Sequence, residues 1–524
     1  MVALEPGRPR RTKANQRAVD SIPRYKYNSR SVERKSSSVL NRFKITVLYS
    51  ETDRMTGPAK IWNFGKNVCI DPEFICRPKS KTDVLETLAK HHQQKIRVIG
   101  SLHAWSDAVK TSGVVIELAA INSISVDTES ATVTVGGGCK IKRLLKELAS
   151  HKLTLPSVGL IDEQTVAGAT ATATHGSGKN SLSHYIVAIE IAHFDEATGE
   201  PKITCIDSGP ELEAARCSLG LMGVVLSITF QCCPSYNVEE YTAVHPTLES
   251  VLAIEAQCPQ QQFYLMPWSW TYFGHHRVST AKPRSKLASL YRLYCFLVID
   301  IGLHIAVCTM AKLLKPAWAT RFFFKRILPL TIVRNWKVVD DSHAMLTMEH
   351  ELFRHIEIEL FVQRSKLQEA TEFLTRVLEH SAGSDQTTCI ANDHRWDQLA
   401  CQSDLQTLHG CYVHRYPICY RRIKNDDVLI SMAAASEESQ EDWYAISLIS
   451  YQNPNDRDGF FLFADFIANA FAGLFRGRCH WGKHNPLDKP VNEKLYPKLD
   501  EFRRIVKRFD GESKFQNDWL DRVI

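Results

Sequence analysis

The sequence predicts an α+β fold: two small α+β units, each contributing one loop of small residues, followed by a distinct domain with a mainly antiparallel sheet and helices. Three observations carry that expectation. Helical and strand-like apolar periods alternate from about Lys60, two Gly/Ser/Thr-rich turns interrupt them, and the pattern changes after Pro234.

In the first unit Val84, Leu85, Leu88 and Ala89 share a helical face, and strands are expected at 96–99 and from Val114 to Leu118. The second unit begins with a strand from Ala131 to Val135 that ends in Gly136-Gly137-Gly138, read as a turn before a helix. That helix, 140–150, places Ile141, Leu144, Leu145 and Leu148 at i, i+3, i+4 and i+7. A long loop follows, then strand Ile186 to Phe194, helix Glu211 to Leu219 and strand Gly223 to Gln231. Beyond Pro234, strands at Ile356 to Val362 and Ala445 to Tyr451 flank a helix from Leu367 to Leu378, and Leu495 to Phe509 reads as a final helix.

Composition narrows the function classes. The chain has 524 residues, enough for several cores, with an ordinary 44% hydrophobic and 23% charged content. Its net charge of +6 is unevenly spread: residues 1–44 hold twelve Lys or Arg against Glu5, Asp20 and Glu33, a local balance of +9 that leaves −3 for the rest. The body therefore lacks the electrostatic footprint of a nucleic-acid binder, and the head reads as a disordered basic arm whose Arg-rich start resembles a transit peptide. Fifteen cysteines occur without C-x-x-C spacing, and the histidines form no zinc-like cluster, so a reduced compartment and no metal are expected. The most apolar stretch, Leu293 to Leu314, is interrupted by Asp300 and His304 and followed by Arg321-Phe322-Phe323-Phe324-Lys325-Arg326. Aromatic and cationic side chains interleaved in this way suit an interface, and membrane-lipid attachment through about 285–335 is expected.

The two loops carry the chemistry. Residues 156–178, PSVGLIDEQTVAGATATATHGSG, combine Gly, Ser and Thr with a single basic residue, His175. Such a backbone approaches a pyrophosphate closely and offers N–H and hydroxyl donors. A second turn, Ile99 to Asp107, follows a strand. The pair suggests one extended, diphosphate-bearing ligand lying between the two units. Neither a P-loop nor G-x-G-x-x-G is present, which disfavours ATP and the usual Rossmann mode.

The loop around His103, the 156–178 run, EAARCSLGLMGVV from Glu213, YPICYRRIKNDDVLIS from Tyr416 and GRCHWGKHN from Gly477 occur in one order. In these motifs the chain resembles the aldonolactone oxidoreductases, FAD enzymes of the vanillyl alcohol oxidase type, from about Ile61 to the C-terminus. The resemblance implies an FAD-binding domain of two α+β subdomains (PCMH type) at 61–240. It also implies a cap or substrate domain at 241–475 and a C-terminal segment, 476–524, that returns to the FAD domain; the arm, 1–60, lies outside it. The implied reaction is oxidation of L-gulono-1,4-lactone, or a close sugar lactone, toward ascorbate, with dioxygen reduced to hydrogen peroxide. A galactonolactone or arabinonolactone dehydrogenase using another electron acceptor and a catalytically silent, membrane-attached FAD-binding protein are the alternatives.

The resemblance also distributes roles. His103 matches the histidine bonded covalently to the flavin, although Leu102 and Ala104 stand where the family usually has glycine and serine. Gly100, Ser101, Leu102, Ser106, Asp107, Asp162, Gly168, Thr172 and His175 would hold the cofactor. Arg421, Lys483 and His480 would be catalytic, with mutual repulsion of cations lowering the lysine's proton affinity. Two residues before Arg421 the family usually has glutamate; this chain has Cys419, a poorer acceptor, and Glu359 is the candidate to face the same substrate pocket. The animal members imply an endoplasmic-reticulum membrane in preference to a mitochondrial one.

Overall fold

A computed structural model describes residues 60–313, 316–348, 354–384, 395, 399, 404–435, 440–451 and 454–524. The basic arm therefore falls outside the described residues except for Lys60.

Three larger sheets organise the described residues, beside two two-stranded ones. The first is parallel, in the order Phe74–Cys76, Val114–Glu117, Ile96–Ile99, with helix Lys81–Lys90 making the crossover. Ser80 caps that helix by accepting from the Asp83 N–H, and Val84 and Leu88 are its buried stripe. The second is five-stranded and antiparallel, in the order Pro201–Ile206, Ile186–Phe194, Val224–Gln231, Thr132–Gly136, Ile124–Asp127. Helix Ile141–Ser150 buries the expected four residues, Ile141, Leu144, Leu145 and Leu148.

The third sheet is antiparallel and eight-stranded: Val338–Asp341, Asn237–His245, Thr271–Thr280, Gln262–Met266, Ile418–Ile423, Trp443–Tyr451, His355–Gln363, Arg478–Cys479. Its even-numbered residues Ile356, Ile358, Leu360 and Val362 join one apolar core with Phe373 and Leu374 of helix Leu367–Ser381 and Phe463 and Ile467 of helix Pro454–Phe475. Burying one face against helices leaves the opposite face for a site.

Several expected boundaries shift for physical reasons. Helix 495–509 is two helices, Lys489–Leu495 and Leu499–Phe509, because Pro497 supplies no N–H between them. The Gly/Thr run is not all loop: Val166–Ala171 is a short helix. Helix Glu211 to Leu219 is instead Gly209–Ala215, stopping before Leu219 and Gly220, both at positive φ.

Candidate active site

Strand register builds the floor of a cavity of about 300 Å³. Tyr264 pairs with Cys419, Cys419 with Ser447 and Ser447 with Glu359, so four neighbouring strands place one row of side chains on the face away from the helices. A second row holds Arg421, opposite Gln262. The Arg421 Nη2 donates to Glu359 Oε1 at 2.8 Å, and His175 Nε2 lies 3.6 Å from the same oxygen. Burial opposes the Glu359 charge, but Arg421 outweighs it and holds the carboxyl far below the usual range. Glu359 thus lines the cavity with its carboxylate already engaged by Arg421.

The C-terminal turn is laid beside this floor by Arg478–Cys479, which pairs with Phe361 and Leu360. His480 N–H then donates to the Glu359 carbonyl at 3.0 Å, and His484 N–H to the Glu357 carbonyl at 3.0 Å. Lys483 Nζ donates to Glu357 Oε2 at 2.5 Å and sits 4.1 Å from the Trp105 ring centroid. Its partners are thus a carboxylate and an aromatic face. The role supported for Lys483 is a fixed positive charge. Glu357 also accepts from the Ser447 hydroxyl, and although burial raises its proton affinity, Lys483 holds its carboxyl well below the ordinary value. His480 Nδ1 accepts from the Gly482 N–H at 2.9 Å, and burial pushes the ring down to about 3. Its neutral form carries its proton on Nε2, so His480 is a donor and not a free base.

Atoms of His175, Glu359 and His480 lie within 4.8 Å of one another, a spacing that could ligate a cation. Glu359 is already neutralised by Arg421, and a metal there would face that guanidinium; the cluster reads as an ion pair. Cys419 Sγ accepts from Gln262 Nε2 at 3.2 Å, Gln262 Oε1 accepts from Arg277 at 3.3 Å, and Arg277 donates to Glu240 at 2.5 Å. Burial pushes the Cys419 thiol up to about 11, so it remains a thiol at neutral pH.

The cofactor expectation is testable on the opposite wall. Gly100, Ser101, Leu102, His103, Gly168, Thr172 and His175 line the same cavity. A Cβ on Gly100 would stand 2.0 Å from Thr165 Oγ1, and one on Gly138 would stand 1.8 Å from the Leu118 carbonyl. Gly137 and Gly138 form the turn before helix Ile141–Ser150, as expected, and also line the cavity. Ser101 Oγ, His103 Nδ1, Gln164 Oε1 and Thr174 Oγ1 are buried with no protein partner, although each unpaired group of this kind costs about 1–3 kcal/mol. A glycine cradle with orphaned donors and acceptors fits an extended diphosphate ligand.

His103 is fixed from several sides. Phe64 stacks on its ring at 4.9 Å, and Phe64 N–H donates to the Leu102 carbonyl. Trp105 N–H donates to the Gly482 carbonyl at 2.8 Å, which ties the His103 turn to the Lys483 turn. Burial first, then Lys483, pushes His103 down to about 4. Leu102 has φ 58°, left-handed backbone that explains why glycine suits this position, and its side chain packs on Ile70, Ile99 and Val115.

Three expected cofactor residues lie outside the lining. Asp162 Oδ2 is 3.0 Å from His343 Nε2 while its Oδ1 is buried without a protein partner, Asp107 pairs with Lys110 on the surface, and Ser106 is buried with its Oγ likewise unpartnered. The sequence reading missed Glu357, His355, Ser447 and Tyr264. For the first two a signal existed: HIEIELFV places His355, Glu357 and Glu359 at alternate positions of an otherwise apolar strand.

Residues 72–198 match the FAD binding domain model, which defines the class as an FAD-dependent oxidoreductase. Residues 228–523 match D-arabinono-1,4-lactone oxidase, and the chain belongs to that family. It is 44% identical to a long-chain alcohol oxidase of an uncultured marine euryarchaeote, covering 88% of this chain and 96% of that protein. It is 27% identical to the L-gulonolactone oxidase of Bos taurus, covering 88% and 98%. Cholesterol oxidase from B. sterolicum shares the fold at a TM-score of 0.66 and 15% identity, covering 88% of this chain and 96% of that one.

Proposed function

We propose that the protein is a membrane-attached, FAD-dependent oxidase of an apolar alcohol, with dioxygen as the acceptor and hydrogen peroxide as the second product. One observation carries the substrate choice: the cavity runs from the charged floor at Lys483 and Arg421 to walls of Met266, Phe273, Leu303, Leu328, Ile332 and Ile449. An alkyl chain is stabilised on such walls by about 0.8 kcal/mol per buried CH₂. A sugar lactone carries hydroxyls along its length, and burying each without a partner is unfavourable. The name of the 44% identical relative supports the same choice.

Bound FAD would supply the hydride acceptor, held by the glycine cradle, with His103 as the covalent attachment point. The orphaned Nδ1 and depressed proton affinity of His103 support an unprotonated ring nitrogen available for that bond. Lys483 and Arg421 would orient the alcohol oxygen and stabilise negative charge as its proton leaves, a contribution commonly worth about 3–4 kcal/mol for one preorganised donor. Glu357 and Glu359 keep the two cations in place. Behind Lys483, Glu357 accepts from both Lys483 and Ser447 and holds the ammonium in place, while the alcohol's proton and hydride together balance the hydrogen peroxide formed from dioxygen.

Lactone oxidation is the second reading, favoured by the family match over 228–523 and by the Bos taurus relative. Peroxide release from holoenzyme with 1-hexanol, 1-dodecanol and L-gulono-1,4-lactone tests both. Apolar-alcohol oxidation requires kcat/KM to rise from hexanol to dodecanol and to exceed that for the lactone. The reverse order would replace it with the lactone reading.

Membrane attachment is part of the proposal. Two helices are long and apolar enough to cross a bilayer among the described residues, Ala288–Lys312 and Arg457–Phe475. The second packs Phe460, Phe463, Ile467 and Phe471 into the core and is 50% buried against 17% for the first, so the first offers more surface to lipid. His304, Val307, Met310 and Ala311 of the first face the protein, which favours a helix lying on the membrane over one crossing it.

A further inference from the structure

The helical insertion is both a wall of the cavity and part of the protein's outer surface. Ile299, Asp300, Leu303 and His304 of its first arm and Leu328 and Ile332 of its second line the cavity. On its outside, Leu297 is 50% exposed, Ile305 57%, Trp318 69% and Leu330 85%. Large apolar side chains exposed together on one insertion call for a covering partner. Residues 285–335 carry eight Lys or Arg and the single carboxylate Asp300, which lines the cavity, and Lys325 and Arg326 are exposed beside the apolar face. Cations bordering exposed Trp and Leu match an anionic lipid surface.

The start of the insertion is clamped. Tyr291 donates its hydroxyl to Glu240, and Arg284 and Arg292 hold Asp340 at 2.6 and 3.4 Å. The segment that follows, Cys295–Gly302, is π-helical and carries Ile299 and Asp300 into the cavity wall. A π-helical stretch is less regular than the α-helix around it and is common at functional sites. The fixed foot and the irregular wall sit in series.

We propose that the insertion is a lipid-facing portal: it rests on an anionic bilayer, and a long-chain alcohol passes from the acyl layer into the cavity between Cys295–Lys312 and Leu328–Thr331. This rests on the apolar-alcohol reading above and adds the route. A substrate dissolved in lipid then reaches Lys483 without exposing its chain to water.

The test uses holoenzyme, vesicles of phosphatidylcholine with phosphatidylglycerol carrying 1-hexadecanol, and 1-hexanol in buffer. The variant Leu297→Glu/Leu330→Glu alters only exposed positions away from the catalytic groups. It is expected to stop floating with vesicles and to oxidise vesicle-held hexadecanol at least tenfold more slowly, with hexanol turnover unchanged. A plug, Leu328→Trp, is expected to keep vesicle binding and to slow hexadecanol more than hexanol. Wild-type protein that fails to float, or a Glu variant that loses vesicle binding yet oxidises vesicle-held hexadecanol at the wild-type rate, would overturn the portal. If neither alcohol were oxidised, the alcohol reading would fail alone. Arrival of hexadecanol would then be read as a flavin absorbance change on vesicle addition, expected in the wild type and lost in the Glu variant; its absence in the wild type would also end the portal.

Discussion

The Arg421–Glu359 pair offers the sharpest energetic prediction. Its groups meet at 2.8 Å with side chains only 10% and 2% exposed, so neither charge has water to fall back on. Replacing Glu359 with Leu leaves a guanidinium that cannot shed its proton, and breaking such a pair costs about 3–5 kcal/mol. Arg421→Met is expected to cost less, because the stranded Glu359 carboxyl can take up a proton. The double variant removes both charges and should return close to the starting stability. Unfolding entropy scaled to 524 residues makes 1 kcal/mol worth about 1 °C in Tm. Thermal midpoints of the holoenzyme should therefore fall by about 3–5 °C for Glu359→Leu and by about 1 °C or less for the pair. A Glu359→Leu midpoint within 1 °C of wild type, or a double variant that loses the sum of the two singles, would refute the buried pair.

Three further outcomes follow from the same geometry. At φ 58°, Leu102→Gly should be more stable than Leu102→Ala by about 1 kcal/mol, the reverse of the usual order, as read by thermal midpoints. His276, His414 and His480 are buried, and burial pushes their rings down to about 4, 3 and 3. Their folded-state values lie below the unfolded one near 6.5, so the unfolded chain binds more protons as pH falls. Their stabilisation, present above about 6.5, is lost toward 4, at most about 2 kcal/mol each between pH 7 and 5. A melting midpoint that is flat or rising from pH 7 to 5 would contradict this. Lys483→Met should slow anaerobic flavin reduction about 10²–10³-fold, measured by stopped flow, and an unchanged rate would remove Lys483 from the chemistry.

Much of this was legible from residue patterns because it is local. The Gly/Ser/Thr turns show as composition, and the helix at Ile141–Ser150 shows as periodicity. The Tyr264–Cys419–Ser447–Glu359 row was not legible, since it depends on the register of strands far apart in the chain. Glu357 was half legible: its alternation with Glu359 was visible, but its partner Lys483 comes from a turn 126 residues away. Helix Pro454–Phe475 was not read from the sequence: its opening PNDRDG is rich in residues that favour turns, although Phe460, Phe463, Ile467 and Phe471 join the core beneath the sheet. The apolar insertion was plain in sequence. That its inner side walls the cavity is a tertiary fact.

The central claim is that an apolar alcohol is oxidised over a flavin whose cradle faces Lys483 and Arg421. Anaerobic mixing of purified, flavin-loaded protein with 1-dodecanol tests it most directly. The yellow absorbance should bleach in wild type, with a rate that depends on alcohol concentration. Retained colour with dodecanol, and bleaching only with L-gulono-1,4-lactone or with neither compound, would contradict it.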